Sequence, residues 1–86
     1  MNEVEYHVAS FVAHVPVEYI DEVSELISLQ QGGQVHAVSE EGKIVFTIEA
    51  SSHKAIDHLI TPIRIHSQVL SLSPVYHQFL NEQQAS

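Results

Sequence analysis

Seven histidines, eleven carboxylate side chains and no cysteine set the chemistry open to this 86-residue chain. Without cysteine there is no thiol nucleophile, no thiolate metal site and no disulfide. Histidine can hold a metal, but a helix does so with two imidazoles one turn apart and further ligands nearby. No HxxxH or HExxH spacing occurs in the chain. His53 and Asp57 lie four apart, a spacing that on a solvated helix face usually gives an ion pair or no interaction at all. His7 and His77 can meet only if the first and last strands pair in a suitable register. No metal and no other cofactor is expected.

Nucleophilic chemistry finds equally little support. Ser10, Ser71 and Ser73 lack a strained elbow motif, and neither His14 nor His77 has a carboxylate partner at a readable spacing. Glu18, Asp21, Glu22 and Glu25 recur at helical spacing, which reads as a solvated acidic face. Gly32-Gly33 is a helix stop, because the GxGxxG and Walker patterns are both absent. The chain is not expected to be an enzyme.

These residues must be positioned by elements that the patterning locates. Residues 5–15 alternate with apolar side chains in both registers, Val8 and Val12 in one and Ala9, Phe11 and Ala13 in the other, as in a central strand covered on both faces. Pro16 suits the first turn of a helix. Over residues 17–30, Tyr19, Ile20, Val23, Leu26 and Ile27 share one arc, opposite the carboxylates. Gly32-Gly33 then supplies a left-handed cap. Residues 34–39 and 43–50 form a hairpin around Glu40-Glu41-Gly42. Ser51 or Ser52 caps a second helix with Ala55, Ile56, Leu59, Ile60 and Ile63 as its apolar arc, ended or kinked at Pro62. Residues 67–78 make a fourth strand.

The order βαββαβ predicts an α+β, ferredoxin-like split βαβ fold. Its four-stranded antiparallel sheet has order 4-1-3-2 and carries both helices on one face. Pro74 then falls on an edge strand, where a missing donor is tolerated. The length allows a single domain, taken as residues 1–78 with a flexible tail over 79–86. A hydrophobic fraction of 44% argues against disorder. The acidic start lacks the basic and apolar regions of a signal peptide, and no stretch approaches the ~20 apolar residues of a membrane span. A cytoplasmic protein without membrane insertion is expected. Three basic residues against eleven acidic ones, a formal charge of −8, disfavour nucleic acid and favour a cationic partner.

One sheet face carries no helices, and its expected residues are small or apolar rather than charged: Ser10 and Val12 on the first strand, Val45, Thr47 and Glu49 on the third, Ser71, Ser73, Val75 and His77 on the fourth. Leu70, Leu72 and Tyr76 occupy the opposite register of that last strand. An uncovered face of this kind suits docking of a partner.

Several runs fix the comparison with known proteins. They are Val8-Ala9-Ser10-Phe11-Val12; Gly32-Gly33-Gln34-Val35; Gly42-Lys43-Ile44-Val45 with Glu49-Ala50; and Val69 through Gln78, ending Ser73-Pro74-Val75-Tyr76-His77-Gln78. In this order and spacing the chain resembles the NapD family from residue 5 to residue 78. That family's closing run reads Ser-Leu-Val-Tyr-His-Gln. Pro74 departs from the family's Leu and removes a backbone donor there, and Phe11 likewise replaces a Leu. The resemblance implies a cytoplasmic maturation chaperone with a ferredoxin-like fold. Such a chaperone binds the twin-arginine signal peptide of the nitrate reductase catalytic subunit, NapA. It withholds that subunit from the twin-arginine translocase (Tat) until the molybdenum cofactor is inserted. The uncovered-face residues named above are then the candidate signal-peptide contacts, with Glu49 the candidate carboxylate for an arginine. A monomer or weak dimer is expected. The alternative on the same fold is an ACT-like small-ligand-binding or self-association module, which predicts a stable dimer through the sheet.

Overall fold

Backbone hydrogen bonding in the computed structural model gives β1 (Glu5–His14), one 3₁₀ turn (Val17–Tyr19), α1 (Ile20–Leu29), β2 (Gly33–Val38), β3 (Lys43–Ala50), α2 (His53–Arg64) and β4 (Ser71–Asn81). The structure describes residues 5–81, with side chains for residues 6–75. The strands form one antiparallel sheet in the order β2-β3-β1-β4, which is the expected 4-1-3-2 order of a ferredoxin-like fold.

Alternation along β1 decides the layering. Ala9, Phe11 and Ala13 are buried together with Ile44, Phe46 and Ile48 of β3, Val23 and Ile27 of α1, and Ile56, Ile60 and Ile63 of α2. The Phe11 and Phe46 rings are cross-strand partners stacked 5.5 Å apart. This side of the sheet is the core, and both helices lie on it. Val8 and Val12 point the other way and are only half-buried, so β1 is not covered on both faces as its composition implied. Their shielding comes from the flanking strands, without a second layer.

Local chemistry explains the element ends. Pro16, at φ −59°, precedes the 3₁₀ turn, whose first bond runs from Tyr19 N–H to the Pro16 carbonyl at 2.9 Å. The α-helical bonding starts only at Ile20. Gln30, which follows α1, is extended, so the left-handed cap expected at Gly32-Gly33 does not end the helix. Gly32 instead takes φ +83° in the turn entering β2. There its carbonyl accepts from Glu49 N–H at 3.0 Å, and a Cβ at Gly32 would stand 2.1 Å from the Glu49 carbonyl oxygen. Two segments singled out in the sequence, the Gly-Gly passage and the exit of β3, are thus one backbone contact.

Ser52 caps α2 by accepting from Ala55 N–H at 3.0 Å. Pro62 does not end this helix, which runs on to Arg64. So near the C-terminus a proline forfeits a single helical bond, and Ile65 N–H still reaches the Thr61 carbonyl at 3.0 Å. The β2–β3 turn is held by Ser39, whose Oγ accepts from the N–H groups of Glu41 and Lys43, both at 3.2 Å. His66 ties the two helical regions together. Its Nδ1 accepts from Gln68 N–H, so Nε2 carries the hydrogen and donates to Glu22 on α1 at 2.8 Å.

The last strand differs most from expectation. Residues 67 and 68 form a turn and 69 and 70 are irregular, with Val69 N–H bonded to the His66 carbonyl and Leu70 N–H to the His14 carbonyl. Leu70 is therefore 65% exposed and does not face the core with Leu72. The chain needs these residues to cross from the end of α2 to the sheet edge. At the other end, residues 79–81 pair with Glu5 to His7 of β1. The tail expected from residue 79 thus loses its first three residues to β4, and the rest of it, 82–86, lies outside the described residues. Among the described residues no helix is long and apolar enough to cross a membrane.

Candidate functional site

The helix-free face is a ladder of cross-strand rungs. His14 of β1 stands between Lys43 of β3 and Ser71 of β4. Next, Val12 stands between Val45 and Ser73, and Ala37 of β2 extends this rung beyond Val45. Ser10 then pairs with Thr47, whose far neighbour is Gln34. Val8 pairs with Glu49 and closes the ladder. Seven of the nine expected residues (Ser10, Val12, Val45, Thr47, Glu49, Ser71 and Ser73) therefore share one face.

Val75 and His77 fit this face differently from expectation. Ser10 pairs with Tyr76 but Phe11 pairs with Pro74, which leaves Val75 as the extra residue of a β-bulge. Val75 remains 61% exposed at the edge. Beyond the bulge the register shifts by one, so His77 is the partner of the buried Ala9 while Tyr76 takes the position opposite Ser10. Strict alternation would have reversed these two. The same register sets His7 opposite Phe79, not His77. His7 is buried, its ring edge-on to His53 at 5.3 Å. Among the described residues no three ligating side chains gather as a metal site.

A second bulge lies between Val35 and Ala37, on the other edge strand. Both bulges adjoin the same rung, Val35–Phe46–Phe11–Pro74, so each edge is disrupted beside the most heavily packed part of the sheet. Bulges increase local twist and blunt edges against further strand pairing. His36, the extra residue of β2, places Nε2 2.8 Å from Thr47 Oγ1 on the open face.

The result is a groove of about 550 Å³ centred on Val12, Val45, Ala37 and Val38, with Ser71 and Ser73 along one side. Val45 is 37% and Val38 46% exposed, so apolar surface is presented to solvent. Charge is confined to the ends. Lys43 and His14 stand at one end, beside the exposed Glu40 and Glu41 of the β2–β3 turn, and the His14 ring donates from Nε2 to the Glu41 carbonyl at 3.3 Å. Glu49 is exposed at the other and forms no ion pair among the described residues. The exposed carboxylates of α1 lie on the helix side, away from this face.

Among the face residues that sequence reading missed are Lys43, His14, His36 and Ala37. The first two were within reach, since extending the registers Val45-Thr47-Glu49 and Ser10-Val12 by one step gives Lys43 and His14. The other two depend on the β2 bulge, for which the sequence carries no distinct signal.

The fold, with both helices on one face of the sheet and a largely apolar groove on the other, defines a small ferredoxin-like domain. The sequence matches the family model described as NapD protein over residues 6–81. The chain belongs to the NapD family. Among solved structures it is similar to the solution structure of the E. coli Tat proofreading chaperone protein NapD. The two are 27% identical with a TM-score of 0.77, over 85% of this chain and 78% of that one. A search of curated proteins gave no match.

Proposed function

We propose that this chain is a cytoplasmic maturation chaperone that binds the twin-arginine signal peptide of the periplasmic nitrate reductase catalytic subunit on the open sheet face. Binding there holds the subunit back from Tat export until its molybdenum cofactor is inserted. The observation that carries this reading is membership of the NapD family across residues 6–81, together with the likeness to the E. coli Tat proofreading chaperone. The physical chemistry of the face supports it. An apolar segment following paired arginines finds exposed Val45, Val38 and Ala37 in the groove. The formal charge of −8 draws a cationic peptide toward the protein at long range.

Calorimetric titration of the protein with a synthetic twin-arginine peptide at low salt tests the proposal. Micromolar binding that weakens as salt screens the charges is expected. Absence of heat and of competition at that concentration would sink it. Val45→Lys, which adds a cation and removes apolar contact at the centre of the groove, should weaken binding by about 1–3 kcal/mol, the scale of a central interface contact. The far-ultraviolet circular dichroism should not change, because Val45 faces away from the core.

A further inference from the structure

Resting on the signal-peptide reading, we infer that the apolar stretch of the bound peptide lies across the strands, from the β2 edge to the β4 edge, and that Ala37 and Ser73 set its fit at the two ends. The groove is built from two neighbouring rungs, each of which draws on every part of the sheet. One rung is Ala37–Val45–Val12–Ser73. The other is Ser39–Lys43–His14–Ser71, in which Ser39, just past β2, donates its N–H to the Lys43 carbonyl at 2.9 Å. With Val38 these are the residues that line the groove, and Ser10, Thr47 and Glu49, further along the same strands, do not line it.

Magnitudes separate the two axes. Three strand spacings of ~4.8 Å give about 14 Å across the sheet, whereas neighbouring rungs lie roughly 7 Å apart along β3. An apolar run therefore finds about twice as much of the groove across the strands as along them. The chemistry agrees. Ala37, Val45 and Val12 follow one another across three strands, while the outward neighbours of Val45 on its own strand are Lys43 and Thr47. A lengthwise apolar run would leave Val45 over Lys43 and His14 in one direction and over Thr47 and Ser10 in the other. Either course takes polar groups out of water without giving them a partner. The His36 ring adds an obstacle, since its 2.8 Å bond to Thr47 Oγ1 joins β2 to β3 beside the Val45 rung. Across the sheet the rung ends on small, exposed side chains, Ala37 at one edge and Ser73 at the other, so the peptide can leave at both edges. Charge does not set this axis. Glu40 and Glu41 stand in the β2–β3 turn, and Glu49 lies about 13 Å from Val45, four β3 residues away, where it can meet only residues that flank the apolar stretch.

The test uses the full chain, isotope-labelled, with an unlabelled twin-arginine peptide. Intermolecular nuclear Overhauser contacts should join one end of the apolar stretch to Ala37 or Val38 and the other to Ser71 or Ser73, with Val12 and Val45 meeting its middle. By calorimetry, Ala37→Gln and Ser73→Gln, each of which raises one end of the rung without adding charge, should weaken binding roughly tenfold, the scale of a significant interface contact. Both positions are exposed, so circular dichroism should not change. Contacts that run instead along β3 from Lys43 to Glu49, with both variants binding as tightly as the parent, would overturn the axis and leave the chaperone reading standing. Absence of any binding by the parent protein would overturn both.

Discussion

Truncating Phe46 to alanine is expected to remove about 3–5 kcal/mol of stability, the usual cost of deleting a buried aromatic ring. Phe46 is fully buried at the middle of β3 and stacks on Phe11 of the central strand. Both neighbours in its rung belong to hydrogen-bonded strands, and α1 and α2 close the core on the ring's side of the sheet. The surroundings are thus tied to the sheet and cannot readily collapse into the space left behind. An 86-residue domain holds roughly 4–13 kcal/mol in all, so the variant should be partly unfolded at growth temperature. Urea unfolding followed by circular dichroism reads this directly. A loss below about 1 kcal/mol would mean that the core is centred elsewhere.

Gly32→Ala should cost a comparable amount for a different reason. Its φ of +83° is costly for a residue with a Cβ, by about 1–2 kcal/mol. The added carbon would also meet the Glu49 carbonyl oxygen at 2.1 Å, and that obstacle is backbone, not a flexible side-chain tip. Relieving the clash requires the β2 entry to part from the β3 exit, at a further 1–3 kcal/mol or so, as in an overpacked core. Together these give a loss of about 2–5 kcal/mol, and each kcal/mol lowers the thermal midpoint by roughly 4–8 °C in a domain of this size. Differential scanning calorimetry measures the shift. An unchanged midpoint would show that the Gly32–Glu49 contact does not constrain the fold. Because Glu49 is also the candidate carboxylate for an arginine of the peptide, the same variant should weaken peptide binding even where it remains folded.

Much of this architecture was legible because single-residue preferences and tertiary packing agree. The hydrophobic arcs of both helices, the bounds of β3 and the cap at Ser52 follow from local pattern, and the structure packs the arc residues other than Ala55 inward. Seven of the nine expected face residues follow from one rule, the period of two along an uninterrupted strand. That rule fails at Val75, where one extra residue exchanges the positions of Tyr76 and His77. Pro74 marked the strand as an edge but carried no sign that the ladder slips beside it. The bounds of β4 were obscured by composition. Val69 and Leu70 look like strand residues but serve the crossing from α2, whereas polar Gln78 looks like an end although pairing with β1 continues to Asn81. In each case the deciding interaction is with a distant segment.

The central claim is that the helix-free face binds a twin-arginine signal peptide. Mapping the backbone amide shifts of the labelled protein during titration with such a peptide tests it most directly. Shifts should concentrate at Val12, Val45, Thr47 and Ser73 and leave the amides of Val23 and Ile27 in α1 unmoved. Shifts confined to the helices, or none at saturating peptide, would contradict it.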